Sequence, residues 1–231
     1  PKHAFENWSM VEKHPYVIGD FVWTGMDYLG ETGIGHTQYF TEGQKDEFAM
    51  PWPWFNAWCG DIDIIGEKKP QMIYRDVLWN NSPLEMNVHA PVPEGKTEVI
   101  SYWGWPDEYP HWNWNGNEGK ELLVSVYSKA DAVKLFLNGR EIGHKVISPM
   151  VTITSIFSVP YEPGELKAIA YKNDKEIASK TFRTTGTPAA IRLFADRNAV
   201  TPSRSDLAFV TIEIIDEFGN VVTDAVKKVT I

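Results

Sequence analysis

The chain has 231 residues, 43% of them hydrophobic and 23% charged, a soluble globular composition that excludes a disordered chain and leaves room for one large domain or a few small ones. Its net charge of -9, with no clustering of Lys and Arg, argues against a nucleic-acid partner. No run approaches the roughly 18 apolar residues of a membrane span, and the lone Cys59 rules out an internal disulfide framework.

Residues Lys2 to His14 read as a helix with Phe5, Trp8 and Val11 on one side, closed by Pro15. Tyr16 to Thr24 reads as a strand, flanked by Gly19 and Gly25, that opens into a group of aromatic, carboxylate and glycine residues ending at Glu31. From Gly30 to Pro53 the sequence has no sustained period and carries Trp52 and Trp54, the pattern of a long loop. Trp58 to Pro70 is a short apolar turn or strand ended by a charged break, and Gln71 to Trp79 is a second helix with Ile73, Tyr74, Val77 and Leu78 at helical spacing. Helix, strand, long loop and helix in this order match the tail of a (β/α)₈ TIM barrel, which cannot stand as a domain alone.

Past Asn80-Asn81-Ser82-Pro83 the apolar period changes to two. Short strands are expected at Glu98 to Tyr102, Glu121 to Tyr127, Ala132 to Leu137, Val151 to Val159, Glu165 to Tyr171 and Glu176 to Phe182. Asn138-Gly139 between apolar runs signals a hairpin, and Lys172-Asn173-Asp174-Lys175 marks another turn. Short strands with regular turns predict an immunoglobulin-like β-sandwich, though no Cys pair supports an antibody-type domain. Thr184 to Pro188 reads as a linker, and strands at Ile191 to Ala195 and Phe209 to Ile215 begin a partial sandwich with an exposed edge. The chain starts at Pro1 without an initiator methionine or signal-peptide features, and is expected to be cut from something longer.

Several residues could carry chemistry. Asp27, Tyr28 and Glu31 follow the first strand; carboxylates there can accept hydrogen bonds from sugar hydroxyls, and a solvated or capping role fits them equally. Asp61 and Asp63 alternate with Ile62 and Ile64, so an extended backbone turns both to one side, to bind a sugar or cation or to hold the loop to the helix after Pro70. The 6 His residues show no ligand spacing, so neither a metal nor another cofactor is expected. Trp103 to Trp114 holds four Trp, either as an exposed stacking platform of a carbohydrate-binding module or as loop aromatics packed against the barrel or between domains. Glu118, after Asn117, sits in a turn-rich stretch and Glu6 within a helical pattern, so neither is a strand-end catalytic carboxylate.

Gly19-Asp20-Phe21-Val22-Trp23-Thr24-Gly25-Met26-Asp27-Tyr28-Leu29-Gly30-Glu31, Cys59-Gly60-Asp61-Ile62-Asp63 and Pro70 to Trp79 together resemble the end of the catalytic barrel of glycoside hydrolase family 2, the β-galactosidase and β-glucuronidase family. His111-Trp112-Asn113-Trp114, Val133 to Gly139 and Val159 to Leu166 resemble the sandwich that follows that barrel, and Ala189 to Asn220 is similar to the start of a further immunoglobulin-like domain. The resemblance implies a mainly β chain: the last strand and helices of the TIM barrel over 1–83, an immunoglobulin-like β-sandwich over 84–186, and part of another over 187–231. It implies a retaining exo-β-glycosidase acting on a carbohydrate substrate, partnered by the remainder of the same polypeptide, with a homo-oligomer left open and a periplasmic or extracellular place favoured. The two catalytic glutamates of the family sit on earlier barrel strands and have no matching position here, so the chain alone is expected to be inactive. Trp23 matches the family tryptophan that walls the sugar site, with Asp27 and Asp61 as further candidate substrate-binding residues.

Overall fold

The structure, a computed structural model, describes residues 2–30, 33–44, 56–228 and 230. Glu31, Trp52, Pro53 and Trp54 lie outside the described residues. The chain is mainly β, and its elements run α1 (Lys2–Lys13), β1 (Tyr28–Leu29), β2 (Thr37–Phe40), β3 (Asn56–Ala57), α2 (Pro70–Leu78), β4 (Leu84–His89), β5 (Thr97–Ile100), β6 (Glu108–Tyr109) and β7 (Glu121–Ser128). They continue through β8 (Ala132–Leu137), β9 (Arg140–Val146), β10 (Thr154–Pro160), β11 (Glu165–Lys172), β12 (Lys175–Arg183), β13 (Ala190–Ala195) and β14 (Val210–Ile215).

Two four-stranded antiparallel sheets, in the orders β10-β7-β4-β6 and β12-β11-β8-β9, enclose one apolar core. Alternation does the sorting. On β8, Val133, Leu135 and Leu137 turn inward, and on β10 Phe157 and Val159 do the same. Each such side chain taken wholly out of water contributes about 2 kcal/mol. Two of the tight turns were legible from local chemistry. Asn138 and Gly139 have φ of 51° and 78°, and Asn173 and Asp174 have φ of 50° and 59°, the left-handed pairs that a two-residue hairpin needs. They join Leu137 to Arg140 and Lys172 to Lys175 in register.

Burial on β7 stops alternating toward its end because the outer face there is covered as well. Val124 and Val126 face the sandwich core, while Tyr127 meets Tyr74 of α2 edge-on with ring centroids 5.1 Å apart. Pro70 opens α2, where its missing N–H costs nothing. Helix α1 ends just before Pro15, which cannot donate to a further turn. Its Ala4, Phe5 and Trp8 join Tyr74, Val77 and Leu78 in a second cluster, with Trp8 and Trp79 at 6.0 Å. The helices therefore dock onto the outside of the sandwich.

Three sequence expectations differ from this picture. Residues 17–22 have no regular secondary structure, because a strand needs neighbours and no described residue forms a ladder with 16–23. Strand β5 does not join the sandwich but pairs with β2, from Thr37 opposite Ile100 to Phe40 opposite Thr97, so the stretch expected as one long loop contains a strand. Strand β4, unmarked in the sequence, is central in the first sheet.

After Thr184 the chain leaves the sandwich and forms the β13–β14 hairpin, to which Val221 adds a single bridge. Asp216 anchors it: its carboxylate accepts from the amides of Gly186, Phe218 and Asn220. Asn113 holds the joint from the sandwich side, donating to Thr223 Oγ1 and accepting from the Thr185 amide.

Candidate functional site

Residues 24–27 run alongside 60–63. The Ile62 amide donates to the Gly25 carbonyl at 3.0 Å, the Asp27 amide to the Ile62 carbonyl at 2.7 Å, and Met26 and Ile62 form a parallel bridge. Gly60 makes this approach possible, since a Cβ there would run into the Asp27 amide and the Met26 carbonyl carbon. The peptide bond between Trp23 and Thr24 is cis.

Both candidate carboxylates beside this crossing are buried in ion pairs. Asp27 receives Lys69 Nζ at 2.9 and 3.0 Å on its two oxygens and the Gly60 amide at 2.7 Å. Lys69 also donates to the Trp58 carbonyl and lies 4.2 Å from the centre of the Trp58 ring. Burial lowers the Lys69 pKa, and the Asp27 carboxylate opposes that shift. Asp61 meets Arg75 Nε of α2 at 2.6 Å; burial raises its pKa against the lowering pull of that guanidinium. The Gln71 amide donates to the Gly60 carbonyl. The crossing is thus tied to α2 and to the residue that precedes it.

Asp61 and Asp63 do not converge as the alternation suggested. The backbone turns after Ile62, and Asp63 Oδ1 accepts from the amides of Ile65 and Glu67 in its own loop. Among the described residues no group of three or more His, Cys, Asp and Glu side chains is placed to hold a metal ion.

Trp23 stands apart from these pairs. It is 82% exposed and, with Asp61, Gln71 and Arg75, lines a cleft of about 330 Å³ that also takes in Trp103 and Asn7 of α1. Phe21 and Ile18, in the same run, are exposed too. Asp61 of the lining is matched by Arg75, and Asp27 behind it by Lys69, while Asp20 also lines the cleft; the paired carboxylates are suited to binding rather than to proton transfer or nucleophilic attack. An apolar ring above paired polar groups offers one surface to the C–H face of a ligand and another to its hydroxyls.

The Trp103 to Trp114 cluster divides. Trp112 is wholly buried in the sandwich, its indole donating to the Glu162 carbonyl at 2.9 Å and its ring edge-on to Tyr161, so it offers no ring face to a sugar in solvent. Trp114 packs against the same core, Trp105 joins the cluster around Tyr74, and Trp103 alone of the four is exposed, at 45%. Tyr28 is partly exposed on β1. Sequence reasoning gave Lys69 and Arg75 no role; the nearby Asp61 and Asp27 were the available signal.

Residues 119–178, most of the sandwich, match the family model described as a domain of unknown function (DUF4982). The chain is 32% identical over 221 residues to a β-galactosidase, BoGH2A, of Bacteroides ovatus, covering 95% of this chain and 21% of that protein. It is 28% identical over 162 residues to a β-glucuronidase of Formosa agariphila, covering 69% of this chain and 14% of that protein. A crystal structure of a glycosyl hydrolase family 2 member from Bacteroides cellulosilyticus superposes with a TM-score of 0.81 at 36% identity, over 95% of this chain and 28% of the other. In sequence and in fold, the chain belongs to glycoside hydrolase family 2, and it spans 14% to 28% of the length of these relatives.

Proposed function

We propose that the chain is the C-terminal part of a retaining exo-β-glycosidase that removes terminal β-galactosyl, or related β-glycosyl, units. Residues 1–83 are then the end of the catalytic (β/α)₈ barrel, 84–186 an immunoglobulin-like sandwich, and 187–231 the start of another. The observation that carries the reading is Trp23: a large aromatic, 82% exposed, on the rim of a cleft whose polar wall is a buried Asp61–Arg75 pair. The uncovered Ile18 and Phe21 support a barrel wall that further chain would cover. The strand orders β10-β7-β4-β6 and β12-β11-β8-β9 support the immunoglobulin-like reading of the sandwich.

In this reaction one carboxylic acid protonates the leaving oxygen and a second carboxylate attacks the anomeric carbon, and water then releases the sugar. Neither carboxylate has a counterpart in this chain. Trp23 stacks on the sugar, Asp61 contributes to the polar wall, and Asp27 acts one step back, holding Gly60 and Lys69 so that the wall keeps its shape. The test is turnover of p-nitrophenyl β-galactoside and β-glucuronide. The isolated chain is expected to hydrolyse neither, and the longer polypeptide containing it to hydrolyse one, with Trp23→Ala lowering kcat/KM at least about tenfold. Hydrolysis by the isolated chain would overturn the assignment of both carboxylates to preceding residues.

A further inference from the structure

The segment between β5 and β6 is pinned on every side. The Gly104 amide donates to the Ser101 carbonyl at 2.8 Å, and Gly104 fits so closely that a Cβ would sit 3.1 Å from the carbonyl oxygens of Gly35 and Ser101. Thr37 Oγ1 of β2 donates to the Trp105 carbonyl, Tyr39 Oη to Asp107, and the Asp107 amide to Glu98 on β5. Trp105 is anchored inward, its ring 5.4 Å from that of Tyr74 and its indole donating to Glu108.

From this fixed turn Trp103 reaches the cleft that Trp23 lines. It remains 45% exposed, and its neighbour Tyr102, at 80%, meets it edge-on at 4.8 Å. Ordering a side chain on a loop usually costs conformational freedom on binding; a turn held by this many bonds has already lost it. Arg75 is the only Lys or Arg among the described lining residues and is matched by Asp61, so no unpaired cation favours an anionic sugar. The chemistry that fits is a neutral pyranose ring stacked on an indole.

We propose that Trp103 is a second sugar-stacking residue, which holds a ring of the substrate other than the one at Trp23, so that the cleft takes an oligosaccharide chain. This rests on the glycosidase reading above and adds the substrate class. Trp103 comes from the segment between β5 and β6, whereas Trp23 comes from the apolar run after α1; two regions of the chain together set substrate length.

The experiment compares Trp103→Ala, Trp103→Phe and Trp23→Ala in the longer polypeptide on two substrates: β-galactosyl fluoride, whose leaving group carries no ring, and whichever of β-linked galactotriose and cellotriose the wild type hydrolyses. Trp103→Ala is expected to raise KM for the trisaccharide roughly tenfold more than KM for the glycosyl fluoride, with Trp103→Phe recovering most of the difference, while Trp23→Ala impairs both substrates alike. Equal effects of Trp103→Ala on the two substrates would overturn the proposal and leave the glycosidase reading standing. Should the wild-type polypeptide hydrolyse nothing, the glycosidase reading fails, and titration of each trisaccharide against wild type and Trp103→Ala by tryptophan fluorescence decides the subsite: weaker binding by the variant upholds it, and unchanged or undetectable binding removes it.

Discussion

Lys69 spans both carboxylate oxygens of Asp27, at 2.9 and 3.0 Å, with both side chains almost wholly out of solvent. The pair connects the Trp23–Asp27 run to the residue that precedes α2, and so fixes one wall of the cleft to the outer face of the sandwich. Among the described residues, Asp27→Ala leaves the ammonium with the Trp58 carbonyl and ring, and Lys69→Met leaves the carboxylate with the Gly60 amide. Removing one member of a buried pair costs about 3–5 kcal/mol, whereas replacing both with apolar residues costs much less. Chemical denaturation is expected to show each single variant destabilised by that order and Asp27→Leu/Lys69→Met well short of the sum. Singles within about 1 kcal/mol of wild type would mean that water reaches the pair.

Gly60 governs the same crossing through sterics alone. Gly60→Ala puts a methyl group against the backbone of Met26 and Asp27, which has no rotamer with which to move aside. The expected loss is about 1–3 kcal/mol, read from the denaturation midpoint. Gly19→Ala is the control, because a Cβ there meets nothing within 4 Å. Equal effects at the two positions would show that the loss comes from chain entropy and not from the close approach.

How far the sequence revealed this depended on whether the signal was local. Asn138-Gly139 and Asn173-Asp174 announce their turns because their left-handed backbone is a property of those residues. The helices announce themselves by apolar spacing. The β2–β5 ladder does not, because partner choice between Thr37 and Ile100 is a tertiary decision. Strand β4 hid because Asn87 is buried between Met86 and Val88, and the alternation breaks where a second layer covers the sheet. Of the cleft and the crossing behind it, Trp23, Asp27 and Asp61 were visible as residue types and Trp103 as one of a tryptophan cluster, but Lys69 as the partner of Asp27 and Arg75 as the partner of Asp61 were not, since pairing across a fold leaves no trace in spacing.

Trp112 tests the division of the tryptophan cluster. It fills the sandwich core against Tyr161, so Trp112→Ala opens a cavity and strands the Glu162 carbonyl, at an expected cost of about 3–5 kcal/mol. Any loss of sugar binding in this variant is expected to track its loss of folded protein, measured by near-UV circular dichroism. A variant that keeps its fold and loses only sugar binding would restore the stacking-platform reading for Trp112.

His111 makes the joint between the sandwich and the β13–β14 hairpin sensitive to acid. Burial pushes its pKa down to about 4, against the opposing pull of Asp224, and its Nδ1 accepts the Asn113 amide at 3.2 Å, which only an unprotonated Nδ1 can do. A folded-state pKa below the ordinary value of 6.5 means that the unfolded chain binds the proton first, so stability is fully present above pH 6.5 and lost as pH falls toward 4. The loss is at most about 3 kcal/mol, with no further contribution from this group below pH 4. Because Asn113 is the residue that bonds Thr185 and Thr223, protonation loosens the contact that seats the hairpin. Denaturation midpoints measured from pH 7.5 to 4 are expected to fall for the wild type. The fall should be clearly shallower for His111→Phe, which has nothing to protonate, and parallel slopes for the two proteins would assign the acid sensitivity elsewhere.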